Sequence, residues 1–188
     1  MTTVVQIEEV TKRRRNKADQ VVIYPLLFVN IIIALETYLG DAFAALLFSR
    51  RDFFERFVHN NGKFQAQEMR LNQLFKRLAT IDAEVKTLVS NNTWHNLIET
   101  AKWYKQAFGV KLPEPTAVIR AAIPQRHDIV HRNGKSLDGL VGSWGVEEIK
   151  ALHKDVLEYV TEIEGLLKTL PPLPTPARGA EPEDSAKI

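Results

Sequence analysis

Residues 126–135 read Arg-His-Asp-Ile-Val-His-Arg-Asn-Gly-Lys and gather two imidazoles, three cations and one carboxylate into ten positions. Imidazole is the side chain whose ordinary titration lies nearest neutral pH, and guanidinium stays charged while forking onto phosphate or carboxylate oxygens. On a helix, His127 and His131 are four apart and share a face. Arg126 and His131 are five apart and point about 140° away from each other at ~100° per residue. A single substrate reaching both therefore needs a groove at the helix edge, or a second copy of the motif across a dimer. Asp128 precedes His131 by three and Arg132 by four. It is placed to orient the imidazole or to hold Arg132, and the ion pair with Arg132 is the simpler role.

Three chemistries fit this spacing. Two histidines one turn apart can chelate zinc or a similar ion, but no glutamate follows the first histidine and no third ligand lies nearby, so no metal and no cofactor are expected. Acid–base work on a phosphodiester is the second: His131 moves a proton, and Arg126 stabilises charge on the phosphate oxygens. In the third, these are solvated or packed polar residues at a helix end. Spacing alone does not choose among them.

The elements that must position the motif are helical. The chain has 188 residues, enough for one domain with its own core; 45% are apolar and 26% charged, which are ordinary globular proportions. A formal charge of +2 is too small to attract nucleic acid globally, so any such attraction must be local. The absence of cysteine excludes disulfides, thiolate catalysis and sulfur-ligated zinc, and favours a cytoplasmic setting. Lys12 to Arg15 followed by the apolar run Val21 to Leu35 imitates a membrane anchor. Pro25, Asn30, a run shorter than the ~20 residues a bilayer core needs and continuation through Glu36 and Asp41 argue instead for a buried helix and no membrane partner.

Val29, Ile32, Ile33, Leu35, Leu39, Phe43 and Leu47 mark a wide stripe on a long helix over 19–49. Phe53, Phe54 and Phe57 belong to a short helix closed by Asn60-Asn61-Gly62, and helix formers dominate 64–75 and 81–89. Asn91-Asn92-Thr93 offers a cap for a helix carrying Trp94, Leu97, Ile98, Ala101, Tyr104 and Phe108, stopped by Gly109. After Lys111 to Pro115 a helix restarts at Thr116, and Pro124 either kinks it or opens a fresh one. Val146, Ile149, Leu152, Val156, Val160, Ile163 and Leu167 step along a last amphipathic helix. The reading is all-α, an antiparallel four- to five-helix bundle over residues 19–170. A basic segment, 1–18, precedes it, and a Pro-rich polar tail, 171–188, expected to be disordered, follows.

Within the motif helix, Ile119, Ile123 and Val130 form an inward stripe that also carries Arg126. A guanidinium aimed inward requires a carboxylate, and Glu36, embedded among Ile32, Ile33, Leu39 and Phe43, is the expected partner. Arg120, Arg132 and Lys135 make the motif face basic. Lys12 to Lys17 is a cationic arm of the kind that either grips phosphates or is simply solvated. Trp94 reads as core, and Trp144, in the Gly-rich loop after the motif, reads as a stacking surface for bases. His59, His95 and His153 lack comparable company and read as ordinary surface or turn residues.

The decade from Arg126 to Lys135 resembles the signature of the HEPN superfamily, in which Arg, a polar residue and His follow as Arg-polar-x-x-x-His; it is most similar to the stand-alone prokaryotic type that continues into His-x-Asn-Gly. Leu35-Glu36-Thr37-Tyr38-Leu39 resembles the acidic position upstream in many such domains. The resemblance spans roughly residues 20–170, with specificity only in the motif. It implies a helical bundle that homodimerises so that two motifs face one cleft, and metal-independent endoribonuclease activity in toxin–antitoxin, anti-phage or RNA-processing settings. Arg126 would stabilise the phosphate, His127 would be the polar auxiliary and His131 the general acid or base, with Glu36 and Asp128 supporting. The ribose 2′-hydroxyl would be the nucleophile and a cyclic phosphate the product. RNA and an antitoxin or defence partner are the implied partners. Other members of the superfamily have lost activity and bind RNA, nucleotides or proteins, which leaves a non-catalytic module as the alternative.

Overall fold

The computed structural model describes residues 17–132 and 144–171 together with Gly134, Lys135, Asp138, Gly139 and Gly142. Of the expected basic arm, Lys12 to Lys17, residues 12–16 lie outside the described residues while Lys17 opens the first helix, and the expected tail lies outside them from 172 onward. Among those described, regular structure is all helical: α1 Lys17–Ser49, α2 Arg51–Asn60, α3 Gly62–Gln65, a 3-10 turn Leu71–Gln73, α4 Leu74–Ser90, α5 Leu97–Phe108, α6 Ala117–Arg132 and α7 Val146–Lys168.

α1 organises the fold, touching α2, α4, α5, α6 and α7. Its inward line, Phe28, Val29, Ile32, Leu35, Leu39, Phe43 and Leu47, is buried. Ile33 was expected on this stripe but is 40% exposed. One residue on from Ile32, it is turned by about 100° to the helix flank. The length expected for the apolar run also needs correction. Ile23–Ser49 is continuous helix with mean hydropathy 1.8 in its most apolar window, long and apolar enough to cross a membrane.

Phe43 is the hub of an aromatic cluster, with Phe57, Trp94, Trp103, Tyr104 and Phe108 rings centred 5.2–5.8 Å away in tilted or edge-on contacts. The Tyr104 hydroxyl, fully buried, donates to the Leu39 carbonyl at 2.8 Å. Burial pushes that phenol far above its ordinary pKa, so it remains a donor across the physiological range. Tyr104→Phe removes this link between α5 and α1 without changing ring packing, and should cost about 1 kcal/mol in urea unfolding. An unchanged midpoint would show that the hydroxyl contributes nothing.

α1 and α7 run in the same direction. Phe28 meets Trp144 at one end, and Arg50 donates to the Pro171 carbonyl at the other. α6 lies antiparallel to α7, because Thr116 bonds Asp155 while Gln125 bonds Trp144. A uniformly antiparallel arrangement is thus corrected: α6 supplies the reversal between two parallel neighbours.

Two local expectations give way to packing. Helix formers at 64–75 do not make one helix, since α3 ends at Gln65 and α4 begins at Leu74. Between the buried Phe64 and Ile81 no residue is buried, so nothing there holds a continuous helix to the core. Phe75 is accordingly 84% exposed. The cap of α5 is Asn96, whose side chain accepts from the Glu99 amide at 3.3 Å, and not Asn91 to Thr93. Trp94 precedes the helix and lies across Gly40, where an added Cβ would sit 2.9 Å from its Nε1. Gly109 ends α5 in the left-handed region at φ 73°, as its sequence position indicates.

Candidate functional site

α6 carries the motif. Thr116 starts it, its hydroxyl accepting from the Ile119 amide and its carbonyl from the Arg120 amide. Pro124 neither kinks a second helix into being nor opens one; it is exposed inside α6, where its missing N–H forfeits one backbone bond on the solvent side. The helix stops at Arg132. Gly134 follows at φ 80°, a conformation open to glycine, and donates its amide to the Asp128 carbonyl.

The inward line of α6 is Ile119, Ala122 and, partly buried against the core, Ile123 and Ile129. Val130, expected inside, is 49% exposed. Spacing does not account for this: seven residues on from Ile123 turn ~700°, within about 20° of the same direction, so the exposure of Val130 and the burial of Ile129 are set by what packs on α6 and not by the period. Arg126 falls between them and faces α1.

There the guanidinium Nε stands 3.6 Å from Glu36 Oε1, with both side chains about one-fifth exposed. Both atoms are shut from solvent and neither makes a hydrogen bond, so the pair is held by charge and position alone. A third group, missed in the sequence, shares the carboxylate: His95 Nδ1 lies 3.3 Å from the same Glu36 oxygen. The expectation that His95 is an ordinary turn residue is corrected by this contact. Its only sequence signal was the neighbouring Trp94, whose seat on Gly40 brings the segment one turn from Glu36.

The imidazoles of the motif lie elsewhere on the helix. His127 and His131 are exposed, and their ring centres are 4.6 Å apart with planes tilted by 46°. No group of three or more metal-ligating side chains converges among the described residues. Asp128 accepts from Arg132 at 2.6 Å and so holds the arginine rather than either imidazole. Within one chain, then, Arg126 and His131 are not brought together.

The expected RNA-contact residues are scattered. Arg120 is exposed and donates to the Pro115 carbonyl, Arg132 is occupied by Asp128, and Lys135 is exposed. Trp144 is corrected from a free stacking surface to a packed one. Its ring is half-buried against Phe28, centroids 6.3 Å apart, its Nε1 donates to Gln125 at 3.2 Å, and Gly134 and Gly142 lie against it. It stands between Gly134 and Gly142 and the Phe28 ring of α1. A Cβ at Gly142 would overlap the indole, so Gly142→Ala should destabilise by ~1–3 kcal/mol and alter the near-UV signal of the tryptophans. An unperturbed melt would mean that the ring yields freely.

Beside the site, α5, the segment 112–115 and α6 border a groove of about 850 Å³. His95, Ile98, Arg120, Ile123 and Tyr159 are among its walls. Burial pushes the Tyr159 phenol up to about 12, helped by Glu114 and Glu162, so it faces the groove uncharged.

No family model, no curated protein and no solved structure matches this chain. The functional reading therefore rests on the site itself and on the resemblance of its motif.

Proposed function

We propose that this chain is a HEPN-type, metal-independent endoribonuclease built on a four- to five-helix bundle, working in the cytoplasm in a toxin–antitoxin or anti-phage setting. The observation that supports it best is the division of α6 into two polar faces. One holds a guanidinium inward against Glu36 with an unbonded Nε; the other, beginning at the next residue, displays two adjoining and accessible imidazoles. A guanidinium stabilises charge on phosphate oxygens, and an exposed imidazole moves protons at neutral pH. In this reading the ribose 2′-hydroxyl attacks the adjacent phosphorus, His131 handles the proton, His127 assists, and a 2′,3′-cyclic phosphate and a free 5′-hydroxyl result.

Because Arg126 and His131 diverge within one chain, the productive site combines Arg126 of one copy with His131 of a second in a homodimer. Sedimentation and end-group analysis of cut RNA test this together: a dimer leaving cyclic phosphate ends is expected. A monomer that still cuts would refute the composite site.

The same divergence favours a second reading, a non-catalytic module that binds RNA, a nucleotide or a partner protein through the motif face. RNA bound without being cut, with His131→Ala binding as well as wild type, would select it.

A further inference from the structure

His95 lies outside the motif and is joined to it through one oxygen. Glu36 Oε1 has Arg126 Nε at 3.6 Å and His95 Nδ1 at 3.3 Å, yet bonds neither, so neither donor is locked in place. A carboxylate at this depth is costly to leave without a compensating donor. Its own helix offers none, since the residues one turn to either side are Ile32, Ile33, Leu39 and Gly40. If the Arg126 guanidinium turns toward a phosphate, the donor that remains is His95. The segment delivering His95 is held firmly: Trp94 packs on Phe43 and Trp103 and over Gly40, its carbonyl accepts from Thr100, and the His95 carbonyl accepts from the Leu97 amide. His95 also lines the groove between α5 and α6, on the side of α6 that carries Arg120 and Ile123.

We propose that His95 is a positioning residue for anion binding at Arg126: it takes over Glu36 when the guanidinium engages a phosphodiester. The inference rests on the reading of Arg126 as the phosphate-binding group. It gives Glu36 two partners used in turn, Arg126 in the free protein and His95 in the complex. Nδ1 serves as the donor in the complex, so a side-chain amide in place of the imidazole can perform the same task.

The test is binding of a fluorescent 2′-O-methyl RNA oligonucleotide, which offers phosphates but no nucleophile, followed by anisotropy for wild type, His95→Phe, His95→Gln, Glu36→Gln and the double variant Glu36→Gln/His95→Phe. His95→Phe should weaken binding by about tenfold or more while melting close to wild type, because the resting Arg126 pair persists. His95→Gln should recover most of the affinity. In the Glu36→Gln background the His95→Phe effect should vanish, since no buried charge then needs a second partner. If His95→Phe does not fold, His95→Ala carries the same comparison. Wild-type binding by the His95 variant, or an equal loss in both backgrounds, would overturn the proposal. Should wild type neither bind the probe nor cut natural RNA, the phosphate role of Arg126 fails and His95 with it. Should wild type cut RNA while His95→Phe binds and cuts equally well, the role of His95 alone fails.

Discussion

On the proposed ribonuclease reading, His131→Ala should lower RNA cleavage by ~10²–10⁴-fold while leaving the fold intact, as expected for loss of a proton-transfer group. The ring is exposed and lies against that of His127, so no buried packing is lost with it. Arg126→Ala should be equally inactive, but it also leaves Glu36 with His95 alone and should melt lower. Each variant retains what the other lacks. Mixing the two and allowing subunits to exchange should restore about a quarter of wild-type activity, since half the dimers are mixed and each mixed dimer rebuilds one of its two sites. Activity assays on the single variants and the mixture, with thermal melts alongside, check this. A mixture as inactive as its components would place Arg126 and His131 in one chain's site or in none.

Glu36→Gln carries the largest expected cost in stability. Breaking a buried ion pair from one side costs ~3–5 kcal/mol because the remaining charge loses its compensation. Here the side chains are about one-fifth exposed and the pair lacks a hydrogen bond, which sets the expectation at the lower end, about 3 kcal/mol. For a chain of this size that corresponds to a fall in Tm of roughly 6–12 °C. Glu36→Gln/Arg126→Met, with neither charge present, should recover much of the loss, as apolar replacement of buried pairs commonly does. Denaturation of wild type, Glu36→Gln and the double variant decides the matter. Unchanged melting of Glu36→Gln would mean that Arg126 is solvated without it.

The Glu36 to Arg126 contact was legible because both residues interrupt apolar stripes of long helices, and an inward charge demands a partner. The stripe of α1 and the stop at Gly109 were legible for similar reasons, periodicity in one case and left-handed backbone in the other. What escaped was set by packing between distant segments. His95 looked isolated because its partner lies 59 positions earlier in the chain, brought near by an indole seated on Gly40. Trp144 sits in a glycine-rich loop, which suggested exposure; the glycines instead make room for its ring. Phe75 and Val130 satisfied helical spacing, yet spacing does not say which face a neighbouring helix will cover.

The proposed α6 ribonuclease site would use the 2′-hydroxyl of RNA, which DNA lacks. It is tested most directly by incubating purified wild-type protein and His131→Ala with total RNA and with matched single-stranded DNA in excess EDTA, then analysing the ends. Wild type should cut RNA alone and leave cyclic phosphate, and the variant should cut neither. Cleavage of DNA, cleavage lost in EDTA, or equal cleavage by the variant would contradict it.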